Sequence, residues 1–274
     1  PAPPLAAGAH DLTATATDAA GNVSASSVAK AIRIDATAPV APVVTGLTTD
    51  TDLGASPSDG ITKVAKPTFA GTAEAGATIR VLDGATLLGT ASADANGNWT
   101  FQPASNLAAG SHTITATATD VAGNQGVLSA AKAITIDTTA PGIPPAPTLA
   151  AASDTGSSAT DGITNDATPT LTGTTEAGAT VQVFAGAVQL GSTTADGTSG
   201  AWSFTPGTAL ADGSASLTVV MVDRAGNAST ASAAKAITID TVAPAAPAFT
   251  GLAAGSDTGP SATDGVTSAV RPTF

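Results

Sequence analysis

The residues of this chain that could do chemistry are almost all hard oxygen donors. In 274 residues there are 21 Asp and Glu, two His and no Cys. Without Cys there are no disulfides, thiolate metal sites or cysteine nucleophiles, and sulfur says nothing about the redox compartment. Carboxylates and carboxamides unaccompanied by thiolate or imidazole suit calcium, which takes about six to eight oxygens in flexible geometry, better than zinc or copper. The acids also recur at fixed spacing. Asp35, Asp137 and Asp240 each follow an Ile and stand four residues before a Pro, at offsets of 102 and then 103 residues. Asp-x-Ala-Gly-Asn keeps these offsets at Asp18 to Asn22, Asp120 to Asn124 and Asp223 to Asn227. Asp52 and Asp59 return as Asp154 and Asp161, with Asp264 a further copy of Asp59, and Glu74 returns as Glu176.

Catalysis is a poor use of these residues. His10 and His112 occupy equivalent places, but the third copy carries Ala215 there, which speaks against a Ser, His and Asp device. Paired carboxylates for glycoside hydrolysis need a cleft, and no Gly-rich phosphate cradle is present. Nine Lys and Arg against 21 acids give a net charge of −12, which repels nucleic acid and anionic lipid. No run of 18 apolar residues suggests membrane insertion, and no basic and apolar leader opens the chain. With 42% hydrophobic and only 11% charged residues, the chain should fold.

The period that spaces the acids also spaces the elements that must hold them. It divides the chain into the last third of one repeat (1–38), two whole repeats (39–140 and 141–243) and the first third of another (244–274). The chain reads as an excised segment of something longer. The one-residue difference between offsets falls in a turn, Asn96-Gly97 against Gly197 to Gly200, where insertion is tolerated. A unit of about 100 residues with short alternating stretches and frequent turn signals predicts an all-β antiparallel sandwich. Seven strands are expected in the first whole copy: A (43–47), B (67–72), C (78–82), D (87–91), E (98–102), F (113–119) and G (133–136). Ile79, Val81, Trp99, Phe101, Ile114, Ala116, Ala118, Ile134 and Ile136 should point inward, with Trp99 and Trp202 anchoring the two cores. Arg80, Thr100, Thr115, Thr117 and Thr135 should face water. An outward Thr113 to Thr119 ladder could present a patterned surface to ice or sugars, but Thr on a solvent face is ordinary strand chemistry.

Alternating strand direction sorts the loops to two poles. The A–B segment of one repeat and the end of its strand G should meet the B–C and F–G loops of the next. At the second junction this gathers Asp52, Asp59 and Asp137 against Glu176, Asp223 and Asn227. At the first it sets Asp35 against Glu74, Asp120 and Asn124. Asp154, Asp161 and Asp240 are offered to the unit beyond, and Asp18 is the earliest copy of the F–G position. Carboxylates converging in this way repel unless a cation lies among them, and calcium is the expected ion. The plainer alternative is that each Asp or Asn bonds its own turn backbone. For Asp52 and Asp59 a site within the A–B segment is a further alternative, although the spacing is not that of an EF-hand.

The Ile-Asp-Thr-Thr-Ala-Pro junction (136–141), Thr-Asp-x-Ala-Gly-Asn (119–124), Asp-Gly-Ile-Thr (59–62) and Gly-Thr-x-Glu-Ala-Gly-Ala-Thr (71–78) together resemble the bacterial immunoglobulin-like repeats of giant type I secreted adhesins and biofilm-associated surface proteins. The resemblance covers essentially the whole chain. It implies seven-stranded immunoglobulin-like sandwiches arranged end to end, calcium at repeat junctions, and a non-enzymatic spacer at the bacterial cell surface. The partners it implies are neighbouring repeats of the same chain, and a host or surface receptor reached through domains outside this segment. A self-associating surface-layer or biofilm matrix repeat, or the stalk of a secreted enzyme, remain alternatives.

Overall fold

Small β-branched and alternating apolar residues, punctuated by Gly and Asp turns, leave the chain little choice but strands. The computed structural model describes residues 3–248, 250–253, 255–258, 260, 261, 263 and 265–274, and every regular element among them is a strand. β1 (Gly8–Leu12) and β2 (Lys30–Ile34) form an antiparallel pair. The next unit contains β3 (Val43–Leu47), β4 (Ile61–Thr62), β5 (Phe69–Thr72), β6 (Thr78–Asp83), β7 (Thr86–Ser92), β8 (Asn98–Phe101), β9 (Gly110–Thr119) and β10 (Lys132–Ile136). These build a three-stranded sheet, β3-β5-β8, and a five-stranded sheet, β4-β10-β9-β6-β7. The following unit repeats the plan. β11 (Thr148–Leu149), β13 (Leu171–Thr174) and β16 (Ala201–Phe204) form its smaller sheet. β12 (Ile163–Thr164), β18 (Lys235–Ile239), β17 (Gly213–Val222), β14 (Thr180–Ala185) and β15 (Val188–Thr194) form its larger one.

The seven expected strands of the first whole copy are all present, and an eighth is added. β4 lies inside the A–B segment and pairs parallel with β10, Thr135 opposite Ile61 and Ile136 opposite Thr62; β12 and β18 do the same in the second copy. Two residues are too short to show a period, so nothing in the local pattern marks them. Strand B begins at Phe69 rather than Pro67, since Pro has no N–H for the ladder.

Each core lies between its two sheets. Ile79, Val81, Ile114, Ala116 and Ala118 are fully buried and Trp99, Ile134 and Ile136 nearly so, with Phe101 packed against them half-buried. Each fully buried Ile or Val contributes about 1.5–3 kcal/mol of transfer free energy. Trp99 and Trp202 lie over Gly71 and Gly173, where a Cβ would strike the indole ring. Thr115 departs from expectation: it is buried, and Thr117 and Thr135 are half-buried. β9 runs between β10 and β6, with Arg80 opposite Thr117, so neighbouring side chains cover the middle of the ladder. That face is not a continuous exposed Thr surface.

Beyond β9 the chain turns and runs back beside it without forming a regular ladder. Seryl hydroxyls serve the orphaned amides instead. Ser129 Oγ accepts from Ala116 N–H at 3.0 Å, while Ser232 and Ser229 serve Val219 and Met221 at 3.0 and 2.9 Å.

Candidate junction and cation sites

The F–G loops are built by one device. Asp120 Oδ1 accepts from Ala122 N–H at 2.9 Å and Asn124 N–H at 2.8 Å, and its Oδ2 accepts from Asn124 Nδ2 at 2.8 Å. Asp18 is held in the same way by Ala20 and Asn22, and Asp223 by Asn227. The side-chain bond from Asn124 holds the Asp120 carboxyl below its ordinary value, aided by loop backbone N–H groups, and Asn22 does the same for Asp18. These aspartates therefore perform the turn chemistry that their spacing permits.

The partner Asn also reaches across the junction. Asn124 Nδ2 donates to the Asp35 carbonyl at 3.1 Å, and Asn227 Nδ2 to the Asp137 carbonyl at 2.8 Å. Asp35, Asp137 and Asp240 each close a short turn through Oδ1, accepting from Thr37, Thr139 and Val242 N–H. Glu74 and Glu176 stand exposed in the B–C turns, and Glu74 borders a shallow groove whose other wall is the linker 37–43.

The A–B segments behave differently. Asp52 is 2% exposed, and Asp154 and Asp257 are 7% exposed. In each, Oδ2 accepts from a glycine N–H eight residues on, Gly60, Gly162 or Gly265, at 3.2–3.3 Å. In each, Oδ1 is buried without a hydrogen-bond partner. Burial pushes the Asp52 carboxyl up from its ordinary value, and the charge of Asp59 pushes the same way against the Gly60 bond and Lys132. Asp59 and Asp161 cap the turns into β4 and β12 by accepting from Ile61 and Ile163 N–H at 3.0 Å. Asp264 lies outside the described residues. Among the described residues, no three His, Cys, Asp or Glu side chains are grouped closely enough to hold a metal. A cation at Asp52, Asp154 or Asp257 would draw its remaining donors from backbone carbonyls and Thr hydroxyls, which calcium accepts. The orphaned oxygen fits such an ion: it is a buried carboxyl oxygen lacking a hydrogen-bond partner.

One pair escaped the sequence reading. His112 Nδ1 lies 2.6 Å from Asp83 Oδ2, and His112 Nε2 donates to the Ala108 carbonyl at 2.8 Å. Burial alone would lower the His112 pKa, but the bonds to Asp83 and Ala108 outweigh it and raise the value. A signal was available, because both partners change together, to Ala185 and Ala215, in the next copy.

Two successive stretches, 38–138 and 140–241, match the model of the bacterial Ig-like domain. The chain belongs to the bacterial Ig-like domain family. Among solved structures, these Ig-like repeats are similar to a tetra-tandem repeat from the extending region of a large adhesion protein, at 22% identity and TM-score 0.31 over 86% of this chain and 58% of that one. They are also similar to a Ca2+-stabilized adhesin with which an Antarctic bacterium binds ice, at 25% identity and TM-score 0.39, over 87% of this chain and 58% of that one. A 1.5-MDa bacterial ice-binding adhesin is matched at 22% identity and TM-score 0.34, over 85% of this chain and 74% of that one. The Ig-like repeats thus span just over half the length of the first two structures. No curated protein matches the chain. Among the described residues, no helix is long and apolar enough to cross a membrane.

Proposed function

We propose that this chain is a spacer segment of a long extracellular bacterial adhesin, holding an adhesive domain away from the cell in attachment or biofilm formation. Its role is mechanical rather than enzymatic. The units are the whole repeats 39–140 and 141–243, flanked by parts of two others. Its partners are neighbouring repeats, with any receptor engaged through domains beyond this segment.

The observation that carries this reading is the recurring join. The carbonyl that ends strand G, at Asp35 and again at Asp137, is taken by the Asn of the next F–G loop. Such a join ties each repeat to the next through a strand end and a loop. Calcium enters the proposal through the A–B segments. Asp52, Asp154 and Asp257 would hold it, with Asp59 and Asp161 contributing negative charge nearby. The ion would supply the positive charge that burial at those oxygens lacks. The other ligands that spacing suggests, Asp18, Asp35, Asp120, Asp137, Asp223, Asp240, Glu74 and Glu176 with Asn124 and Asn227, carry turn or junction hydrogen bonds or stand exposed, and the calcium proposal rests on the A–B segments instead.

X-ray scattering of the full chain in millimolar calcium tests the spacer role. Each whole repeat should add about 40 Å to the maximum dimension, given strands rising roughly 3.3 Å per residue with loops added. A compact particle with repeats folded against one another would refute it. Thermal unfolding with calcium, magnesium or chelator tests the ion separately, and equal midpoints in all three would remove it.

A further inference from the structure

The A–B segment of the repeat at 39–140 and the F–G loop of the repeat at 141–243 meet directly, through atoms that need no metal. Ala55 N–H donates to the Arg224 carbonyl at 3.0 Å and Lys63 N–H to the Ala225 carbonyl at 3.1 Å. Lys63 Nζ donates to the Gly226 carbonyl at 2.7 Å. Three successive carbonyls of one loop are thus taken up by the preceding repeat. The Arg224 guanidinium lies 3.7 Å from the Asp59 carboxylate. The two backbones touch: a Cβ on Gly226 would stand 3.2 Å from Gly54 Cα, and a Cβ on Gly54 would overlap the Arg224 carbonyl. Both positions require glycine for the approach as well as for their positive φ, 150° at Gly54 and 91° at Gly226.

We propose that residues 53–63 form a docking site for the F–G loop of the following repeat, and that this clasp fixes the two repeats relative to each other without calcium. The side chains that key it vary among copies. The F–G loops carry Ala19, Val121 and Arg224 at one place, and the A–B segments carry Lys63, Asn165 and Ser268 at the other. Asn and Ser are too short to span the gap that Lys63 crosses, and Ala and Val offer no charge to Asp59. The glycines and Asp59 provide a common socket, while Lys63 and Arg224 select which copies pair well. The clasp needs no calcium, because main-chain donors and a Lys and Arg hold it; Asp59, which faces Arg224, is the one acid it shares with the calcium reading.

Since the chain has no Cys, Thr100→Cys and Ser203→Cys place one spin label on an exposed strand position of each whole repeat. Distances are then read by pulsed dipolar spectroscopy on the full chain in chelator. A single narrow distribution is expected, unchanged by added calcium. Gly226→Val should widen it at least twofold. Gly123→Val should not, because that matching glycine has φ 93° but nothing within 4 Å of its Cβ. Lys63→Met with Arg224→Met, which leaves the loop backbone untouched, should widen it as well. A parent distribution that is broad in chelator and narrows only with calcium would overturn the clasp and leave the calcium reading standing. Equal widths for the parent, Gly226→Val and the double Met variant would overturn it too.

Discussion

Replacing Asp52 and Asp154 together by Asn separates a buried charge awaiting a cation from a carboxylate that merely ties a loop. The side chains are isosteric, so Asn can keep the bond from Gly60 or Gly162 N–H that Oδ2 now accepts. What changes is the group at Oδ1, where an uncharged amide NH2 replaces a carboxyl oxygen that is buried without a partner in both copies. Without calcium the charge is a cost. The folded-state pKa of Asp52 is raised, so the stability linked to this group is fully present below the ordinary carboxylate pKa and is lost as pH rises through the folded value. At pH 7 in chelator the variant should therefore melt no lower than the parent, and above it if charge dominates. With calcium the order reverses. For a dissociation constant of about 0.1–1 mM, as for extracellular modules, about 2 mM calcium stabilises a repeat by about 0.6–1.8 kcal/mol. At about 4–8 °C per kcal/mol for a domain of this size, the parent midpoint rises by about 3–14 °C and the variant's stays put. Calorimetry of the full chain with calcium, magnesium and chelator measures this. A variant that gains as much from calcium as the parent, or melts well below it in chelator, would refute the reasoning.

Other consequences follow from particular contacts. Ser129→Ala strands the buried Ala116 N–H that Ser129 Oγ now serves, at a cost of about 1–3 kcal/mol, so the midpoint of its repeat should fall by several degrees in circular dichroism. Gly71→Ala drives a Cβ into the Val43 carbonyl and the Trp99 indole, and overpacking should cost about 1–3 kcal/mol or more, seen as a shifted urea midpoint and altered Trp fluorescence; Gly142→Ala, with open space around it, should change neither. His112 and Asp83 give the repeat at 39–140 a pH response. The His112 pKa is raised on folding, so the pair's stabilisation is full below the ordinary histidine value and fades as pH rises through the folded one. His112→Ala should flatten that repeat's stability between pH 5 and 8, a range set by the ordinary His pKa of about 6.5. The repeat at 141–243, with Ala185 and Ala215 in those places, should already be flat.

Strands were legible wherever period 2 and a turn coincided. Ile79 with Val81 and Ile134 with Ile136 announce their inner face, and Gly-containing turns bound them. β4 was not legible, because Ile61 and Thr62 pair in parallel with a strand more than 70 residues on, a non-local fact carried by no local pattern. Thr115 misled for a related reason: alternation tells which face a side chain takes but not how deeply its neighbours cover that face. At the candidate sites, Asp-x-Ala-Gly-Asn correctly marks a self-bonded turn, and strand alternation brings A–B and F–G segments to one junction. The orphaned Asp52 oxygen and the grip of Lys63 on Gly226 depend on atomic packing that spacing does not encode.

The division between recurring and varying positions has a physical meaning. Asp120, Asn124 and Gly123 recur because they shape one loop, and any copy must form that loop before it can meet a neighbour. Arg224 and Lys63 are free to vary because they act only across a junction, where a change alters fit to one neighbour and leaves both sandwiches folded. A tandem array of near-identical units faces the hazard of mispairing between copies. Varying the keys while keeping the socket counters it, since a wrong neighbour would leave either Asp59 without the Arg224 guanidinium or the loop carbonyls without the Lys63 ammonium. Exchanging Arg224 with Val121 should therefore weaken the second junction without lowering the melting midpoint of either whole repeat. Equal label-to-label widths before and after the exchange would show that the backbone contacts alone set the alignment.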